Sequence, residues 1–132
     1  MATIKSFTDL GQSINLAEIL PLESADMRIG NYVGEHACID GTNVHYYHKS
    51  ESFEAPEIIP CWSLTALLCV IKEQGNVDLR FLQSTFDNRG NRLANVWCCT
   101  FEDIGTVIDL YADNPVDACV AIIEKLNELN LL

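Results

Sequence analysis

The sequence predicts an α+β fold: an antiparallel sheet, built from an N-terminal hairpin and a three-strand meander, with N-terminal, central and C-terminal helices. Three observations carry this. Helix-period apolar spacing occurs in three separated stretches. Strand-forming runs lie between them, and turn residues join consecutive strands without room for a crossover.

The first helix is predicted from Ser6-Phe7-Thr8-Asp9, which has the S-x-x-D form of a capped start, with Ser6 as N-cap. Phe7, Leu10, Ile14 and Ala17 then share a face, Gly11 costs about 1 kcal/mol relative to alanine, and Pro21 ends the helix. "LESADM" adds a short helical turn. Arg28 to Val33 reads as a strand. In "ACIDGTNVHYYHK", Asp40-Gly41 is a favoured turn pair and Val44 to His48 is rich in strand formers. "KSESFEAPEIIPC", with two prolines and three glutamates, reads as an exposed irregular connection.

Ser63 caps the central helix, along which Leu64, Leu67, Leu68 and Ile71 follow helical spacing, and Gly75 suits its end. Leu79 to Phe86, Leu93 to Phe101 and Thr106 to Tyr111 then form the meander, joined by "DNRGNR" and "EDIG". In "RLANVWCCTF" both alternating faces are apolar, which predicts the central strand. The last helix runs to the end of the chain. Asn114 is its N-cap, Pro115 sits at its first position, and Asp117 favours the positive end of its dipole. Val116, Cys119, Ile122, Ile123, Leu126 and Leu129 form its apolar stripe, opposite Asp117, Glu124, Lys125 and Glu128.

A chain of 132 residues fits one globular domain, 1–132, that buries about two thirds of its unfolded surface without a disulfide or metal. The net charge of −11 disfavours direct nucleic-acid binding, which uses basic patches, and disfavours an acidic membrane surface. It admits an acidic mimic that occupies a nucleic-acid-binding protein, although the acids are scattered rather than arrayed. "SFTDLGQSINLAEIL" is too polar for a signal core, and no apolar run reaches the roughly 18 residues of a membrane span. The six cysteines contain no C-x-x-C pair. They read as free thiols of a cytoplasmic protein.

Three constellations could carry chemistry. His36, Cys38, His45 and His48 have the donor types of a zinc site. If Val44 to His48 is a strand, however, positions three apart fall on opposite faces and do not converge. Cys61 is the candidate nucleophile of a small thiol hydrolase. It lies just before a helix start, where the dipole lowers a thiol pKa, and it would need one of the histidines as base. The bland alternative is a small apolar filler. Asp109, inside "TVIDLY", reads as a cross-sheet partner of Arg80 or Arg92 rather than a catalytic acid. Trp62 reads as a staple at the helix entrance. No residue is assigned to catalysis, cofactor or metal.

"PCWSLTALLCVI" (Pro60 to Ile71), "YADNPVDACVAIIEKLNELNLL" (Tyr111 to Leu132) and, more weakly, "LPLESADM" (Leu20 to Met27) resemble a family of small proteins of unknown function from Bacteroides-type gut bacteria and their phages and mobile elements. The resemblance covers the first helix and its exit, the tryptophan-led helix and the last strand with its helix. It implies a single-domain cytoplasmic protein and brings no activity, cofactor or catalytic residue. The expectation is a non-catalytic accessory or interaction protein with a protein partner. An exposed apolar sheet edge would favour a homodimer.

Overall fold

The computed structural model describes residues 5–31, 44–48 and 57–132; for residues 31, 44–48 and 57–58 the backbone alone is described. The elements are α1 (Leu10–Ala17), a 3-10 turn (Leu22–Ser24), β1 (Met27–Asn31), β2 (Val44–His48), β3 (Glu57–Cys61), α2 (Leu64–Gln74), β4 (Asn76–Phe86), β5 (Arg92–Asp103), β6 (Thr106–Ala112) and α3 (Pro115–Glu128). The fold is α+β with two antiparallel sheets, ordered β2-β1-β3 and β4-β5-β6. The chain divides into two compact units, residues 7–66 and residues 1–6 with 67–132. No helix among the described residues is long and apolar enough to cross a membrane.

In residues 7–66, β1 pairs with β2 from Met27↔His48 to Asn31↔Val44. These two strands form an N-terminal hairpin; Asp40-Gly41, the pair read as its turn, lies outside the described residues. The segment read as an irregular connection contributes β3, which pairs with β1 from Met27↔Cys61 to Asn31↔Glu57. Pro60 argued against a strand because it cannot donate to a ladder. It is tolerated because β3 is an edge strand of its sheet. Ile29, Ile59 and Cys61 form the buried cluster there, with Phe7, Leu10 and Met27 against it.

Helix α1 starts later than "SFTD" suggested. The N-cap is Asp9, whose side chain accepts from the Gln12 amide while Gln12 returns a bond to the Asp9 amide. Ser6 is not the cap because the next residues are pulled into extended pairing. Phe7 bridges to Ser63, and the Thr8 amide donates to the Trp62 carbonyl at 2.9 Å. Ser13 and Leu16 point inward, whereas Ile14, assigned to the apolar face, is exposed.

The second unit is the meander with α3 on one face. The β4–β5 register runs from Asn76↔Glu102 to Phe86↔Arg92, and the β5–β6 register from Asp103↔Thr106 to Trp97↔Ala112. Strand β5 is central, as its two apolar faces predicted. Val96, Cys98, Cys99 and Phe101 are buried, so both faces are covered. Asn95 takes a left-handed φ of 55° and interrupts the ladder between the Ala94 and Val96 pairs without shifting its register. Both hairpin turns use a left-handed glycine, Gly90 and Gly105.

Helix α3 packs on β5 and β6. The Asn114 side chain caps it by accepting from the Asp117 amide at 2.8 Å, with Pro115 in the first turn. Lys5 holds Asp117 from the side at 2.8 Å. Its buried face is broader than the predicted stripe, adding Ala118 and Val120, while Leu129 is exposed. The helix stops at Glu128 rather than at the last residue. Asn130 has a left-handed φ of 59°; its amide donates to the Asn127 carbonyl, and the Leu131 amide donates to the Leu126 carbonyl. These two bonds form a Schellman motif, with asparagine in the usual glycine position.

Candidate functional site

The polar side chains that converge most in residues 7–66 surround Cys61, the residue the sequence marks as a nucleophile. Cys61 ends β3 and is fully buried. Its Sγ lies 3.5 Å from Thr8 Oγ1 and donates to the Thr8 carbonyl at 3.4 Å. Thr8 and Ser13 are buried too, with their hydroxyls 2.8 Å apart. The Trp62 amide donates to Thr8 Oγ1 at 3.2 Å. Apart from the Thr8–Ser13 contact, which reaches into α1, these bonds tie the extended residues before α1 to the end of β3.

The electrostatics oppose nucleophilic use. A helix dipole was expected to lower the thiol pKa. Instead burial pushes the Cys61 thiol up, Asp26 nearby adds to this, and the hydroxyl contacts of Thr8 and Ser13 offset only part. Burial dominates because removing a thiolate from water costs more than two neutral hydroxyl bonds return. The side chain also points into the core rather than toward the helix start. A thiol so placed stays protonated and shielded.

For the histidines only the backbone positions of His45 and His48 are described. Met27 lies opposite His48 on one side and Cys61 on the other. The Cys61 and His48 backbones are therefore two strand spacings apart, about 10 Å, with Met27 between them. His45 and His48 lie three apart on the strand β2, so their positions fall on opposite faces of the sheet. His36 and Cys38 lie outside the described residues, as do the side chains of His45 and His48. Among the described residues no three His, Cys, Asp or Glu side chains gather as a metal site requires.

A second cluster forms at the start of α2. Asp26 accepts from the Ser63 amide at 2.8 Å and from the Ser63 hydroxyl in a short contact. Ser63 Oγ accepts in turn from the Ala66 amide at 3.2 Å, so Ser63 is the predicted cap. Its hydroxyl proton goes to a carboxylate and a lone pair to the helix, which leaves neither for chemistry. Trp62 is fully buried, and its Nε1 donates to Ser24 Oγ at 2.9 Å. It is the staple the sequence suggested. Thr8, Ser24 and Asp26 escaped the sequence reading because their partners Cys61, Trp62 and Ser63 lie 37 or more residues away, and Ser13 because its partner Thr8 is placed by that pairing. The one local signal was the D-x-x-Q box at Asp9.

In the second unit the thiols are also internal, except Cys69, which α2 exposes rather than packs. Cys99 and Cys119 approach to 3.9 Å between β5 and α3, and the Cys119 contact together with burial pushes the Cys99 thiol up. Asp109 pairs differently from the cross-sheet ion pair expected. It accepts from Thr100 Oγ1 at 2.6 Å, while Arg80 pairs with Asp78 at 3.1 Å and Arg92 donates to Ser84. The reason is register: Thr100 stands directly opposite Asp109, whereas Arg80 shares a row with Cys98 and Tyr111.

The most exposed large side chains of this unit lie on the meander's strands and turns, and Leu129, Leu131 and Leu132 after α3 are exposed to a lesser degree. Phe81 is 47% exposed and packs edge-on to Trp97 at 5.4 Å; Phe86 is 64% and Ile104 is 99% exposed. Arg89 and Arg92 flank the β4–β5 turn beside Phe86. Compared with known proteins, the chain matches no family model, no curated protein and no solved structure.

Proposed function

We propose that the chain is a non-catalytic protein-interaction module, an accessory protein of bacterial or phage origin that works in the cytoplasm. The observation that carries the reading is the contrast between its interior and its β4–β5 hairpin. Its best candidate nucleophile is sealed in the core, whereas two phenylalanines on one strand stand in solvent beside arginines. Aromatic residues and arginine are the side chains most enriched where proteins hold each other. Exposed Phe81 and Phe86 have no evident use in the core of a unit that already buries Phe101, Ile122 and Ile123.

The test is affinity capture from native host cells, with native chain and a folded Phe81→Ser/Phe86→Ser variant side by side. The expected result is a stoichiometric protein retained by the native chain and lost by the variant. Turnover in a broad hydrolase screen that disappears in Cys61→Ala would replace this reading with a thiol hydrolase. Salt-sensitive capture of a basic nucleic-acid-binding protein, equal for both chains, would replace it with an acidic mimic.

A further inference from the structure

Strand β4 has eleven residues and, among the described strands, a partner on one side only, β5. Such an edge offers backbone donors and acceptors to any strand that can lie along it. The residues along this edge read Val77-Asp78-Leu79-Arg80-Phe81. The odd positions lie on the face shared with Phe101, Cys99 and Trp97, their register partners. The even positions, Asp78 and Arg80, lie on the other face, with their side chains 64% and 53% exposed.

We propose that β4 pairs antiparallel with β4 of a second copy of this chain, about a two-fold axis through Leu79, joining two meanders into one six-stranded sheet. The order of charges supports this partner. With Leu79 opposite its own counterpart, Asp78 of each copy faces Arg80 of the other, and Val77 of each faces Phe81. Directly opposed residues share a face in an antiparallel ladder, so both ion pairs form on one side and both apolar pairs on the other. An axis on Asp78 would oppose two aspartates, and an axis on Arg80 would oppose two arginines. An axis between residues would set apolar side chains against charged ones. Among axes at Asp78, Leu79 and Arg80 the charges therefore select Leu79, and the contact is isologous and closed. The chain carries −11 overall, but β4 holds one acid and one base and so brings no net charge to the contact.

This inference differs from the interaction reading although both use Phe81: that reading is tested by capture of another protein, and this one by self-association of the purified chain. A short strand pairing is a small interface, so association is measured on the full chain at about 100 μM by sedimentation equilibrium. The expected mass is twice the 14.7 kDa of one chain. Arg80→Asp and Asp78→Arg each convert both cross-strand pairs to like charges and weaken association at least about tenfold. The Asp78→Arg/Arg80→Asp double variant restores the native mass, because the reversed order is again complementary. Circular dichroism confirms that each variant is folded. Independently of any variant, a mixed sample of labelled and unlabelled native chain gives isotope-filtered NOEs between Val77 of one copy and Phe81 of the other. A monomeric native chain, a dimer indifferent to either single variant, a charge swap that fails to restore association, or a dimer without the Val77–Phe81 contact each overturns the proposal.

Discussion

Gly75 follows α2 and precedes β4, and the space around it makes a sharp prediction about stability. Its backbone is outside the left-handed region, so the glycine is not there for its conformation. It is there because the chain passes close to β5. A Cβ at this position would lie 2.7 Å from Phe101 Cε2, 2.8 Å from the Glu102 carbonyl oxygen and 2.9 Å from Phe101 Cζ. The ring is buried and the oxygen is backbone, so neither yields as a flexible surface side chain would. Overpacking of this kind costs about 1–3 kcal/mol. The narrower unfolded ensemble of alanine returns about 0.4–1 kcal/mol. Gly75→Ala should therefore lose about 1–2 kcal/mol in urea denaturation and roughly 3–8 °C in Tm. Phe101→Leu removes the two offending ring atoms but leaves the carbonyl. In that background the same alanine should cost less by at least about 0.5 kcal/mol, a coupling expected only between residues in contact. Gly11 is the internal comparison. A Cβ there has Asp9 Oδ1 at 3.5 Å as its nearest neighbour, an ordinary contact on an exposed helix face. Gly11→Ala should stabilise by about 0.5–1 kcal/mol. Equal effects at the two glycines, or a Gly75→Ala variant as stable as the native chain, would refute the reasoning.

Asn114→Ala removes both the α3 cap and the 2.8 Å bond from Asn114 Nδ2 to Asp117, and should cost about 1–2 kcal/mol in the same denaturation assay. Asp87 accepts from the Arg89 and Asn91 amides at 2.9 Å, and these bonds, that from Asn91 foremost, hold its carboxyl below the ordinary aspartate value. Its contribution to the turn is therefore complete above the unfolded-state pKa and is lost as pH falls through the lower folded one; the Arg89 and Asn91 amide shifts should move together on acidification, with a midpoint below that of a free aspartate. Peptide-level alkylation of the native chain should modify Cys69 readily and Cys61, Cys98, Cys99 and Cys119 only on unfolding. Fast native labelling of Cys61 would sink the claim that it is sealed.

What could be read from the sequence was what is decided locally. Helix α3 was legible because its start is written in consecutive residues, Asn114, Pro115 and Asp117, and its face in a helical period. Its end was not legible: the helix was read to the last residue, because an asparagine such as Asn130 is a weaker stop signal than glycine. The meander was legible because each turn carries its own glycine. The rest was set by partners distant in the chain. Strand β3 was hidden by Pro60, and only its edge position makes that proline harmless. The start of α1 moved from Ser6 to Asp9 because Phe7 and Thr8 pair with residues more than fifty positions away. Two adequate caps stood in the sequence, and long-range pairing chose between them.

The same competition explains why Cys61 misled. Judged by its neighbours, it precedes a capped helix, and a thiol there is activated. Judged by its position, it ends an edge strand with Thr8 closing over it. Strand alternation turns Cys61 and Ser63 to the same side, yet Ser63 is drawn to Asp26 and the helix, and Cys61 to the hydroxyls of Thr8 and Ser13. The first residues of the unit and the end of β3 thus share one set of polar bonds. Removing the thiol costs a contact in that joint, whereas removing Thr8 breaks bonds to Cys61, Trp62 and Ser13 together. Thr8→Ala should therefore destabilise residues 7–66 more than Cys61→Ser, in which a hydroxyl still reaches the same partners. Such an order fits a joint in the fold, whereas loss of an activity in Cys61→Ser at unchanged stability would mark a nucleophile.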